Sequence, residues 1–205
     1  MRSPARLKPA RIKYTLVLAV IAVSALVLFA WSRDWFVFTL AGESADQVTV
    51  PGSVAAPALS ALALAGIALA AALAIAGPVF RVLLGALEVV LGGCIVLSAS
   101  LALADPVSAG ARAVTDSTGI DGADSVAALV AHTSGSPLPA VTLALGVVAA
   151  LLGVGVLATF RRWPASSRRY SAVRFDDAAP AGGREASVSD WDTLSDGRDP
   201  TGGDR

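Results

Sequence analysis

Histidine and cysteine each occur once in the 205 residues, at His132 and Cys94, and charged residues make up only 16% of the chain. A single cysteine forms no internal disulfide, and one His with one Cys cannot assemble a zinc-type ligand set. The same counts exclude most nucleophile–base constellations. Neither Gly-x-Ser-x-Gly nor His-Glu-x-x-His occurs, and no phosphate-cradling glycine loop is present. The sequence therefore predicts no enzyme, no cofactor and no metal centre. Sixteen basic residues balance sixteen acidic ones, which gives no basis for nucleic-acid binding. His132 reads as a solvated loop residue, and Cys94, inside an apolar run, as a small packing residue.

Apolar residues are abundant, at 55% of the chain, and they are gathered into four stretches almost free of charge. A helix needs about 20 such residues to cross a hydrocarbon core about 30 Å thick. The predicted spans are residues 14–31, 55–76, 82–104 and 138–160. Soluble helices are rarely so long and apolar on every face. The fold class that follows is an all-α integral membrane protein, a four-transmembrane-helix bundle. Pro57 falls in the first turn of the second span, where a missing N–H is harmless. Gly77-Pro78 predicts a tight turn over 77–81 before the third span. A cleaved signal peptide is the rival reading of the first stretch. It is long for that role, and Leu28-Phe29-Ala30-Trp31-Ser32-Arg33 lacks a small-x-small cleavage site.

Lys and Arg are retained on the cytoplasmic side of a membrane, which predicts the orientation. With the basic terminus 1–13 inside, the inner segments hold Arg2, Arg6, Lys8, Arg11, Lys13, Arg81, Arg161, Arg162, Arg168, Arg169 and Arg174. The outer loops 32–54 and 105–137 hold only Arg33 and Arg112. Both ends are thus expected in the cytoplasm and the chain in the cell (plasma) membrane, in contact with lipid. Tyr14, Trp31, Trp35, Phe36 and Trp163 lie at span ends, where amphipathic rings suit the headgroup region.

In the first outer loop, Val37-Phe38-Thr39-Leu40 and Val48-Thr49-Val50 flank a turn-rich linker, which suits either a small hairpin or an irregular loop. In the second, short helical pieces are expected near residues 107–114 and 123–131. The tail, 161–205, turns polar beyond Trp163 and is expected to be mostly disordered. Within it, Ser189-Asp190-Trp191-Asp192-Thr193-Leu194 suits a short helix over 190–196, capped by Ser189 and closed by Gly197. Trp191 and Leu194 would share one face of it. A tryptophan in so polar a tail is expected to dock on a protein partner, the bundle or the membrane.

Several of these residues carry a family likeness. Trp31-Ser32-Arg33-Asp34-Trp35, Val50-Pro51-Gly52-Ser53, Pro57-Ala58-Leu59 and Arg161-Arg162-Trp163-Pro164 with Arg169-Tyr170 form one part of it. The other is Asp190-Trp191-Asp192-Thr193-Leu194-Ser195-Asp196-Gly197-Arg198-Asp199-Pro200-Thr201. Together they resemble the actinobacterial tryptophan-biosynthesis-associated membrane proteins, over nearly the whole chain. The resemblance implies an association with tryptophan biosynthesis. It carries over no catalytic or ligand-binding residue.

Glu88 is the one ionisable residue inside a predicted span, about 9 Å along the helix from Val82. An intramembrane carboxyl costs roughly 2.5–3.5 kcal/mol on insertion scales and is a functional candidate for that reason. The structural alternatives are a neutral side chain, one that snorkels, or one that faces Arg81 two turns earlier. Gly66/Ala70, Gly85, Gly92-Gly93, Gly146/Ala150 and Ala149/Gly153 place small residues at helical spacing, which favours close packing of spans or contacts in a homo-oligomer. Of the functions open to such a chain, the residues favour an accessory or scaffold protein that binds a partner through its bundle and tail. The alternative is a small transporter or channel subunit for an aromatic metabolite such as tryptophan, using Glu88 and the Trp31/Trp35 pair. A membrane enzyme comes last.

Overall fold

The computed structural model describes residues 9–42 and 46–162. In chain order they form helix α1 (Pro9–Trp31), strands β1 (Asp34–Leu40) and β2 (Gln47–Pro51), a short turn of helix α2 (Gly52–Ala55), α3 (Ala58–Ile75), α4 (Pro78–Ala104), α5 (Pro106–Thr118), α6 (Ala123–Leu129), strand β3 (Val130–Gly135), α7 (Leu138–Thr159) and a closing 3-10 turn, Phe160–Arg162. Four of the helices, α1, α3, α4 and α7, are long and apolar enough to cross a membrane. Their outward side chains, among them Leu18, Leu64, Leu83 and Leu151, are apolar and well exposed, as lipid contact requires.

Proline sets the boundaries that differ from the sequence expectation. The residue before a proline is pushed out of the helical region. Ala56, ahead of Pro57, accordingly sits at φ −146°, ψ 69° and separates α2 from α3. The second span is therefore shorter than 55–76. At the other end of α3 the predicted turn 77–81 is mostly helix. Ala76 and Gly77 alone are extended, and Pro78 takes the first turn of α4, for which its ring is preorganised. Arg81 thus belongs to a helix and not to a loop.

The four spans close a ring in which α1 packs on α3, α3 on α4, α4 on α7 and α7 on α1, with α4 against α7 the most extensive contact. Small residues bring these two helices together. A β-carbon on Gly92 would collide with Ala150 N and fall 2.7 Å from Gly146 O, and one on Gly153 would fall 2.7 Å from Val89 N. Gly66 of α3 receives Ser24 of α1 in the same way.

Both long connections emerge at one end of the bundle and fold together there as a cap. The first is a hairpin, one of the two forms that its sequence suits, with β1 antiparallel to β2. The sequence did not suggest its third strand. β3 comes from the second connection and pairs antiparallel with the free edge of β1, giving the order β2-β1-β3. The helical pieces expected near 107–114 and 123–131 are α5 and α6. A bulge lies between Asp34 and Phe36, where Trp35 has no partner on β2. The extra residue lets Trp35 and Phe36, although adjacent, both point inward. These two and Phe38 form the cap's core with Val50, Val114 and Val126, continuous with Val27, Leu59 and Ile95 of the spans. Helix α5 lies close over it, since a β-carbon on Gly110 would meet the Phe38 ring at 2.5 Å. Asp105 caps α5, accepting the Ser108 N–H at 3.0 Å, and Gly119 closes it at φ 71°. The helical class holds, with a small sheet added.

Candidate functional site

Glu88 is the one predicted site residue that the described structure places, and it lies in the interior. It is 2% exposed, on the face of α4 that also buries Arg81, Gly85, Gly92 and Ile95. Because α4 begins at Pro78, Glu88 is about 15 Å along a helix of about 40 Å. That is nearer the middle than the 9 Å expected from the sequence. Its Oε2 is buried and has no hydrogen-bond partner. The side chain neither snorkels nor binds Arg81 through that oxygen. A buried polar atom left unsatisfied costs about 1–3 kcal/mol, and more when charged.

Two glycine contacts flank the carboxyl. One turn before it, Gly85 meets Val156 and Leu157 of α7; one turn after it, Gly92 meets Ala150 and Gly146. Besides Glu88, the buried polar side chains among the described residues of the spans are Ser24, Arg81 and Thr142. Thr142 is satisfied within its own helix by Leu138 O at 2.9 Å. The sequence reading passed over Ser24 and Thr142, since a lone hydroxyl in a greasy span gives no signal of its depth.

Basic groups gather at the end of the bundle opposite the cap. There Lys13 Nζ donates to Ala74 O at 2.6 Å and Arg81 Nε to Ala76 O at 3.0 Å. Ala74 lies in the last turn of α3 and Ala76 is the residue just beyond it, where a helix end leaves acceptors unpaired and favours cations. Arg81 is 1% exposed, so it serves this helix end rather than the solvent.

The other expectations divide. Trp35 is fully buried and donates Nε1–H to Ala30 O at 2.8 Å. It and Phe36 are core residues of the cap rather than members of an interfacial belt. Trp31 packs against the same core, and its buried Nε1 has no partner. Trp35 therefore presents no open aromatic face, and Trp31 is half-buried. His132 is exposed, on β3. Cys94 is also exposed, on the outer side of α4, and not packed inside as expected. Helical phase explains this: its neighbours Gly92 and Ile95 take the buried positions. Trp191 and Leu194 lie outside the described residues. No group of three metal-ligating side chains occurs among the described residues. An open cleft of about 330 Å³ lies where α2 and α3 approach α4 and α5, lined by Ala55, Pro57, Ser98, Leu101 and Asp105 among others. Its carboxylate is the one that caps α5, so no set of polar groups converges there.

Comparison with known families adds one match, over residues 17–201, to the model of the tryptophan-associated transmembrane protein family. The chain belongs to that family. The match takes in most of the first span, the other three spans, the cap and most of the tail, and it agrees with a multi-pass protein whose helices are held in lipid. Neither the curated proteins nor the solved structures contain a match to the chain. In this member of the tryptophan-associated transmembrane family, a closed glycine seam lies beside a single buried carboxyl among the described residues.

Proposed function

We propose that the protein is a non-enzymatic accessory component of the cell (plasma) membrane that holds a protein of the tryptophan biosynthetic machinery at the cytoplasmic face. Both chain ends are cytoplasmic in this reading, and the docking element is the tail, 161–205, with Trp191 and Leu194 as its apolar pair. The observation that supports it most is the contact of α4 with α7 through backbone at Gly92 and Gly153, which leaves no lumen along that seam for a polar solute. The orientation is supported by Lys13, Arg81 and Arg161, which lie at the end of the bundle away from the cap. A second copy of the chain is a further partner, meeting the first through apolar faces that lipid otherwise covers.

Removal of residues 188–205 tests this directly. In a deletion strain grown without tryptophan, the truncated protein is expected to reach the membrane at wild-type level yet fail to restore growth. The rival is a small transporter or channel subunit for an aromatic metabolite such as tryptophan, and the lone oxygen of Glu88 speaks for it. Against it, Trp35 is sealed within the core of the cap. Full function of the truncation, together with loss of function in Glu88→Gln, would decide for the rival.

A further inference from the structure

Glu88 presents a problem that the accessory reading leaves unsolved. A carboxylate needs several hydrogen-bond donors or a counter-ion, and in a water-free interior an unpaired charge is far costlier than a neutral acid. One oxygen of the carboxyl, Oε2, is buried with no such partner. Nor do the neighbouring elements offer a charge at its depth. Helices α3 and α7 contain no Asp, Glu, Lys, Arg or His. Helix α1 carries Arg11 and Lys13 only in its first turns, and Lys13 is engaged with Ala74 O. On α4 itself Arg81 lies seven residues earlier, about 10 Å along the axis, and binds back to Ala76 O. Arg161 and Arg162 stand beyond the end of α7. Water cannot take their place readily, because the glycine contacts at Gly85 and Gly92 close the seam on both sides of the carboxyl.

We propose that Glu88 is a proton-binding site: the neutral acid is its resting form at neutral pH, and release of the proton loosens the α4–α7 seam. The proton is the one ligand that satisfies this geometry without room for water or a second polar group. The sign of the linkage follows. An acid that binds its proton more tightly folded than unfolded stabilises the fold at low pH, and the contribution is lost as pH rises and the folded protein is made to ionise. Glutamine, similar in shape and permanently neutral, mimics the protonated state and should break this dependence.

The test uses the full chain in lipid nanodiscs. The infrared difference spectrum, wild type minus Glu88→Gln, is expected to contain the carbonyl stretch of a protonated carboxyl at pH 7. Wild-type melting temperature should fall between pH 7 and pH 9.5, whereas that of Glu88→Gln stays level over the same interval. A difference spectrum with the paired bands of a carboxylate at pH 7 would overturn the proposal. So would a carboxylate signal that depends on added sodium, which would make the ligand a metal cation. Parallel melting curves for the two proteins would remove the coupling to the seam.

Discussion

Along α4 and α7, glycines let the backbones of the two helices approach and receive branched side chains such as Val89, Ile95 and Leu157, whereas between β1 and α5 the groups that meet are Trp35, Phe36, Phe38 and Val114. The two regions face different solvents. Inside lipid, burying a leucine gains nothing over leaving it among acyl chains, so helices associate only where their backbones come close enough for dispersion to add up. In the cap, water is nearby and area counts. Aromatic rings supply it, with Phe36 and Phe38 stacked at 6.4 Å between centroids and Trp35 edge-on to Phe36. The cap also needs a hydrogen-bonded sheet, because its backbone is not paired within one helix. The difference shows that residue size has opposite meanings in the two halves: large is stabilising under the sheet and destabilising along the seam.

Trp35→Ala should break the comparison most severely. It removes the largest fully buried side chain and the donor to Ala30 O, for a loss of about 3–5 kcal/mol. Hydrogen exchange is the measurement to make. The amides of β1, β2 and β3 should lose protection while those of α4 and α7 keep theirs. If both sets failed together, cap and bundle would be one cooperative unit and the contrast would have no energetic meaning.

Gly92→Val applies the opposite insult, adding volume where backbone meets backbone. Overpacking of this kind costs about 1–3 kcal/mol, and the α7 backbone at Gly146 and Ala150 has no flexible end to move aside. Its neighbour supplies the control. A β-carbon on Gly93 would meet nothing within 4 Å, so Gly93→Val should stay within about 0.5 kcal/mol of wild type. Thermal unfolding in micelles would separate the pair, and equal melting temperatures would mean that the seam is not the source of bundle stability.

The same contrast explains what could be read in advance. The spans were legible because hydropathy over some 20 residues is a long, redundant signal, and the small residues at helical spacing pointed correctly to the seam. Span ends were less so. Pro78 after Gly77 signals a break, although a proline also opens a helix, and that one ambiguity puts Arg81 in a turn and Glu88 nearer the membrane surface than the structure does. In the cap the hairpin was visible as two β-prone runs. β3 was not, for Val130-Ala131-His132-Thr133-Ser134-Gly135 has little strand character and is held in place by an edge of β1 about 90 residues away in sequence. The burial of Trp35 depends on a bulge, which is created by pairing register and has no local signature.

Asp105 joins the two regions, and its substitution is the finest probe of where one ends. Its N–H closes α4 on Leu101 O, its carbonyl accepts from Ala109, and its side chain caps Ser108 of α5. Asp105→Ala keeps both backbone links and deletes only the cap. Helix caps are worth about 1 kcal/mol, and here Ser108 can turn its N–H to water, which sets the expected loss at or below that figure. Asp105→Asn retains an acceptor and should recover most of it. Protection should fall in the first turn of α5 and nowhere in α4. Loss that spread into α4 would mean that the cap's first helix steadies the third span, and the boundary between large-residue and small-residue packing would then have to be moved down into the membrane.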